Sequence, residues 1–326
     1  MTSRILIGTD EAGYGPNLGP LVITATAWSV PAGLKPENLW DELTQVLTNS
    51  PRRGDQRLFV ADSKAVYSAD RCLEDLEVPV LSFLSTLGLQ PNSIDELGRH
   101  LGGTTFDSEY AREPWNATPG LRLPVEASVD HVSEWADSLQ NEMNSTGIRL
   151  LGVQSRLLFP AEFNRQTDHF DSKGVVLSEA TLDLVRSLYD LFVAPENSGR
   201  QPSPALVVCD KHGGRNRYDE LIASRFDDQF VFRIQESREL SRYRLGSLEF
   251  CFRTKAEELL PVALASMVAK YLREVLMHQF NAFWLARVPG LKPTQGYPVD
   301  DRRFLDQITE HLERLDIPGE LIWRNR

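Results

Sequence analysis

Short apolar blocks broken by turn residues open the chain. Residues 4–9, RILIGT, and 21–28, LVITATAW, are rich in β-branched side chains and predict two strands with a Gly/Pro-rich turn between them. Residues 149–159, RLLGVQSRLLF, predict a third strand; 205–210, ALVVCD, a buried fourth; and 229–234, QFVFRI, a fifth. Residues 177–193 set apolar side chains at helical spacing, with Ser178 as candidate N-cap. Residues 256–286 predict one or two long helices with Pro261 in a first turn, and 301–315 a further helix. This order suits a mixed α/β domain. Residues 88–124 are rich in Gly, Pro and Asn and hold no sustained period. They mark an inserted, partly irregular subdomain over 76–147, set into a body formed by 1–75 and 148–326.

Composition narrows the class. The 326 residues are 41% hydrophobic and 25% charged, as in a soluble globular protein. No apolar run approaches the roughly 20 residues of a membrane helix, so no membrane association is expected. The start of the chain lacks a signal-peptide pattern. Cys72, Cys209 and Cys251 lie far apart, which argues against a zinc site and a disulfide framework and points to a reduced cytoplasmic protein. The net charge of −11 speaks against nucleic acid until its distribution is read: residues 74–147 carry −10 of it. An acidic segment is set into a nearly neutral body.

The chemistry concentrates in residues 8–20, GTDEAGYGPNLGP. The glycines at 13, 15 and 19 have the wrong spacing for a dinucleotide fingerprint, Pro16 and Pro20 interrupt any helix, and no Gly-Lys-Ser/Thr follows for a P-loop. A plain hairpin turn is the simple alternative. Adjacent acids at the end of an apolar strand, however, call for a counter-charge, and a metal is the usual one. On an ideal strand Asp10 and Glu11 point to opposite faces, so they share a site only at a strand end or a bulge. Gly13 and Gly15 let backbone N–H groups approach a ligand. Asp210 ends a predicted strand and Glu257 lies in FRTKAEELLP. Four carboxylates converging on one locus would hold two divalent ions, magnesium or manganese, suited to phosphoryl displacement.

The order of motifs then becomes specific. GTDEAGYGPNLGP resembles an Asp-Glu-x-Gly-Arg/Thr-Gly-Pro signature. ADSKAVYS, 61–68, resembles an Asp-Ser-Lys motif, and Asp210 falls at a third carboxylate. KAEELLPVALASMVAKYLRE, 255–274, is similar to a Lys-Ala-Asp/Glu segment running into an Ala-Ser-x-x-Ala-Lys helix, and QGYPVDDRRFL, 295–305, to a Gly-Tyr-Pro-x-Asp segment. Together they resemble the type 2 ribonuclease H family (ribonuclease HII/HIII) over 1–75 and 148–326, leaving the acidic insert outside.

The resemblance implies a ribonuclease H-like fold: a five-stranded mixed sheet flanked by helices, with the inserted subdomain and C-terminal helices. It implies two-metal cleavage of the RNA strand of RNA–DNA hybrids. Asp10 would bridge the ions, with Glu11, Asp210 and Glu257 completing their shells; Glu258 is the alternative to Glu257. The turn Gly13–Tyr14–Gly15 would read a 2′-hydroxyl largely through backbone atoms, with Tyr14 where the family has arginine. Lys64 would meet phosphate or a catalytic carboxylate, and Tyr297 would stack near the scissile ribonucleotide. In DKHGGRNRY, 210–218, the bases Lys211, Arg215 and Arg217 form either a phosphate clamp or a solvated loop, and His212 either assists proton transfer or, as a lone loop histidine, is incidental. Trp28, Trp40, Trp284 and Trp323 are assigned to the core. The charge of the insert places it away from the hybrid groove, on an edge or on the face opposite the four carboxylates, as a surface for a protein partner or as solubilising cover. Two other readings stay open: a hybrid-binding homologue without cleavage, and a nuclease of the same fold acting on another nucleic acid.

Overall fold

Strands β1 (Ser3–Ala12) and β2 (Leu21–Pro31) pair antiparallel across the glycine-rich turn, with Asp10 opposite Thr24 and Glu11 opposite Ile23. The computed structural model describes residues 3–67, 72–116, 120–194, 203–227 and 229–325; Ser68, the last residue of the ADSKAVYS motif, lies outside them. A short helix α1 (Leu39–Glu42) leads into a small parallel pair, β3 (Leu47–Thr48) and β4 (Leu58–Phe59), then α2 (Ser63–Val66). The acidic stretch forms α3 (Glu74–Thr86), α4 (Ile94–Gly102), α5 (Phe106–Tyr110) and α6 (Val129–Thr146). Next come β5 (Arg149–Leu158), α7 (Pro160–Phe170), α8 (Lys173–Phe192), β6 (Ala205–Asp210) and α9 (Asp219–Arg225). The chain closes with β7 (Phe232–Glu236), β8 (Leu240–Leu245), β9 (Leu248–Arg253), α10 (Leu260–Leu285) and α11 (Asp301–Arg314).

The main sheet is mixed and flanked by helices, as expected, but it has seven strands rather than five, in the order β5-β2-β1-β6-β9-β8-β7. β6 lies parallel to both β1 and β9. The added hairpin β8–β9 alternates strictly. Tyr243, Leu245, Leu248, Phe250 and Phe252 are buried, while Arg242, Arg244, Glu249 and Arg253 face outward. Those outward charges break the apolar run that announces the other strands. The last strand begins at Phe232, three residues beyond the expected start. Ser172, not Ser178, caps α8, its hydroxyl accepting from the Val175 N–H. Ser178 lies inside the helix, fully buried.

The sheet separates two apolar cores. Leu6, Val22, Leu206 and Val208 face α10 and the helices α3, α4 and α6. Ile5, Ile7, Ile23, Val207 and Cys209 face α8 and α9. α10 is buried nearly all round because it lies between the sheet and those other helices. Pro261 occupies its first turn, where a missing N–H costs nothing.

The acidic segment packs on the face of the sheet that α10 covers. Val80, Phe83, Leu97, Phe106 and Leu139 join the same core as α10. The buried carboxylate of Glu77 accepts from the N–H groups of Val125, Glu126 and Ala127 at 2.7, 2.8 and 2.8 Å and from the Tyr271 hydroxyl at 2.5 Å. Apart from the buried Glu77 and Glu113, the segment's acids lie outward, so apolar burial rather than charge decides its place. Among the described residues, no helix is long and apolar enough to cross a membrane.

Candidate active site

The parallel pairing of β1 with β6 ends at Thr9 opposite Cys209. Asp10 and Glu11 therefore emerge at a strand end on that side, with no bulge, which is one of the two ways adjacent strand residues can serve one locus. Asp210 is the last residue of β6. Glu257 follows β9 in a short turn, Ala256–Glu258, entered through Lys255 in the left-handed conformation at φ 57. The Ala256 N–H hydrogen-bonds Asp210, and the Trp40 indole donates to the Glu258 carbonyl at 2.7 Å. The turn is thus tied to β6 on one side and to α1 on the other. Glu258 points to Arg253, 2.9 Å away, while Glu257 feels the charges of Asp210 and Asp62.

Mutual repulsion and burial mark these acids. Asp10 and Glu11 keep some accessible surface yet lie deep under surrounding protein. Burial first, then the charges of Asp210 and Asp62, push Asp10 up to about 7, against a hydrogen bond from Ser266. Burial followed by Asp10 and Asp210 pushes Glu11 up to about 8. Burial also raises Asp210 and Glu257. Lys64, itself exposed, works in the other direction on Glu11 and Asp210.

Two members were passed over in the sequence. Asp62 caps α2, accepting from the Lys64 N–H at 3.1 Å, and its charge acts on Asp10, Asp210 and Glu257. Ser266 on α10 bonds Asp10, and its hydroxyl lies 3.1 Å from that of Ser63. Both stand inside motifs already quoted; an aspartate before Ser-Lys and a serine in an alanine-rich helix were the available signals.

The glycine turn packs against the Tyr297 segment. Gly13 has φ 89, and a Cβ there would fall 2.6 Å from the Pro20 carbonyl. Gly15 faces open space. The N–H groups of Asn17 and Leu18 donate to the Gly296 carbonyl at 2.8 and 3.3 Å. Gly296 has φ 79, and a Cβ there would meet the Leu18 carbonyl oxygen at 2.5 Å. Tyr297 next to it is 40% exposed. It borders a groove of about 900 Å³ that Tyr67, Glu274 and Glu126 also line, so one acid of the acidic segment reaches this groove. The Tyr14 ring lies under Lys173, whose Nζ is 4.8 Å from its centroid.

The three bases after Asp210 part company. The Lys211 ammonium is turned inward, donating to Ser237 O at 2.9 Å and Ser241 Oγ at 2.8 Å. Arg217 is exposed and meets Glu236 at 3.5 Å. Arg215 is half-buried and its charge acts on Tyr14. His212 is buried, its Nδ1 2.9 Å from Ser178 Oγ, and burial lowers it to about 3. It is a neutral packing group, which accounts for a polar serine inside α8. Trp28 and Trp284 are fully buried; Trp40 and Trp323 are partly so.

The donor set suits a hard divalent cation: carboxylate oxygens only, with Asp210 Oδ1 buried and lacking any hydrogen-bond partner. Among the described residues, no three His, Cys, Asp or Glu side chains are close enough to hold a metal ion as they stand. The expected convergence is therefore an electrostatic neighbourhood rather than a closed coordination shell.

No family model matches the chain, and no curated protein does. Solved structures similar to it include a chain of the PCNA–ribonuclease HII complex from Archaeoglobus fulgidus, at 13% identity and a TM-score of 0.42 over 99% of this chain and 96% of that one. Ribonuclease H2 from Pyrococcus horikoshii OT3 is similar at 14% identity and a TM-score of 0.42, over 98% and 92%. Bst ribonuclease HIII in complex with Mn2+ is similar at 14% identity and a TM-score of 0.42, over 99% and 67%.

Proposed function

We propose that the chain is a metal-dependent endonuclease cleaving the RNA strand of RNA–DNA hybrids, as its motifs imply by their resemblance to type 2 ribonuclease H. One observation carries the reading: where β1 and β6 end and β9 is followed by its turn, the charge of Asp210 acts on Asp10, Glu11 and Glu257, beside a glycine turn. We assign catalysis to 1–75 and 148–326, and the outward acids of 76–147 to a protein partner.

Asp10, Glu11, Asp210 and Glu257 would hold two magnesium or manganese ions. When bound, these supply Lewis-acid polarisation and charge neutralisation for displacement at phosphorus by water. Lys64 adds a positive charge for the phosphate beside Glu11 and Asp210. The backbone of Gly13–Tyr14–Gly15 donates to the 2′-hydroxyl, which only a ribonucleotide carries. The exposed Tyr297 ring offers a stacking face to the neighbouring nucleotide, and Arg215 meets a flanking phosphate. In-line attack leaves a 3′-hydroxyl and a 5′-phosphate.

A substrate panel tests the reading. RNA–DNA hybrid, duplex RNA, duplex DNA and a DNA junction are each incubated with magnesium or manganese. Cleavage of the hybrid, with duplex RNA, duplex DNA and the junction left uncut, supports it. Hybrid binding without cleavage, or cleavage of the junction alone, replaces it with one of the two other readings.

A further inference from the structure

Two fully buried arginines lie beneath the glycine turn, and neither belongs to the carboxylate cluster. Arg324 is 2% exposed and Arg273 1%. Arg324 Nη2 donates to the carbonyl oxygens of Gly13, at 2.6 Å, and Pro16. The Arg324 N–H donates to Asn17 O at 2.9 Å, and Trp323 bridges to Leu18. Asn164 on α7 fastens this tail, donating to Trp323 O at 2.8 Å and accepting from the Asn325 N–H at 2.6 Å. From α10, Arg273 Nη2 donates to Leu18 O at 3.2 Å and Gln295 O at 2.8 Å, and its guanidinium lies 5.8 Å from the Tyr297 ring centroid.

This arrangement is costly. Each guanidinium keeps Nε and Nη1 without a hydrogen-bond partner, and the nearest carboxylate contact is Glu274 Oε1, 3.7 Å from Arg273 Nη1. Burial lowers both, and for Arg324 the like charge of Arg273 adds to it. Apolar side chains would fill the space at lower cost, but they cannot bond the carbonyls of a tight turn. The planar fork of arginine can take two carbonyls at once in a fixed orientation.

Resting on the function proposed above, we infer that Arg324, with Arg273, is a positioning residue that aims the glycine turn at the substrate ribose. In a trans peptide the N–H points away from the C=O. Holding the Gly13 carbonyl against Arg324 therefore turns the Tyr14 N–H away from the protein interior. Arg273 fixes the same turn to the Gln295–Tyr297 segment, so the 2′-hydroxyl reader and the stacking ring are set at one spacing. Ribonucleotide discrimination then depends on Arg324, 311 positions from Gly13 in the sequence, which touches no substrate.

The test uses full-length Arg324→Gln and Arg324→Lys, the second keeping charge and stem should the first fold poorly. Hydrogen exchange is followed across residues 13–20 and across β1 and β2. In the same preparations, kcat and KM are measured on hybrid and on an all-DNA duplex. Faster exchange confined to 13–20 is expected, with hybrid kcat down roughly 10- to 100-fold, as for slight misplacement of a reacting group. KM should change little, and lysine should not rescue. Unchanged exchange at 13–20, or protection lost equally through β1 and β2, would overturn the inference. A parent that cuts no hybrid defeats the functional reading instead, and the exchange measurement still decides whether Arg324 clamps the turn.

Discussion

Ser266, near the start of α10, hydrogen-bonds the carboxylate of Asp10 at the end of β1. That bond favours the ionised form, while burial raises the carboxyl to about 7. Removing it in Ser266→Ala should raise Asp10 further. The acid limb of the pH–activity profile should then move to higher pH, with activity at pH 6.5 falling more than at pH 8.5. A limb that stays in place would show that this bond does not tune Asp10.

Neighbouring glutamates should differ sharply. Glu257 lies under the charges of Asp210 and Asp62, whereas Glu258 is turned to Arg253. Glu257→Gln is expected to lower kcat by roughly 100-fold or more, beyond what loss of an outer-shell partner causes. Glu258→Gln should stay within about threefold, since its ion pair is exposed and contributes little. Equal losses in the two variants would shift the fourth ligand to Glu258.

The raised carboxyl of Asp10 has a consequence for stability. Its folded value near 7 exceeds the unfolded value of 3.8, so the native state binds more protons between them. The stability it contributes is present below about pH 4 and is lost as pH rises through 7. Asp10→Asn removes this dependence. The melting temperature of the parent, measured relative to Asp10→Asn, should fall from pH 5 to pH 8. At pH 8, millimolar magnesium or manganese should raise the parent more than the variant. A pH-independent difference, or equal metal shifts, would contradict the assignment.

His212 runs the opposite way. Burial lowers it from 6.5 to about 3, so the unfolded chain binds the extra proton between these values. The stability it contributes is present above pH 6.5 and is lost as pH falls toward 3. His212→Asn should flatten the acid side of the stability profile and leave the pH dependence of kcat unmoved. A shifted kcat profile would make His212 a proton carrier after all.

Much of this was legible from residue patterns. The strands β1, β2 and β6 are nearly unbroken apolar or β-branched runs, and Asp10, Glu11 and Asp210 fall where β1 and β6 end. β8 and β9 were hidden because Arg242, Arg244, Glu249 and Arg253 interrupt their apolar residues, so neither forms an unbroken apolar run. α4 was hidden by brevity: Ile94, Leu97 and Leu101 are helically spaced, but too few to register among the surrounding glycines and prolines. The packing of the acidic stretch was hidden because charge was read without the apolar residues that bury it. Arg324 could not be found by any local pattern. Its partner Gly13 is 311 positions away, and a terminal arginine reads as a solvated charge until the fold closes over it.

The most direct measurement places the parent and Asp10→Asn side by side on one labelled strand, in hybrid with DNA and as its all-DNA counterpart, with magnesium or manganese present. The expected result is cutting of the ribonucleotide-containing duplex by the parent alone, with 5′-phosphate and 3′-hydroxyl ends and no cutting of the all-DNA duplex. Undiminished cutting by Asp10→Asn, or equal cutting of both duplexes by the parent, would contradict an active site built on these carboxylates and a turn that reads the 2′-hydroxyl.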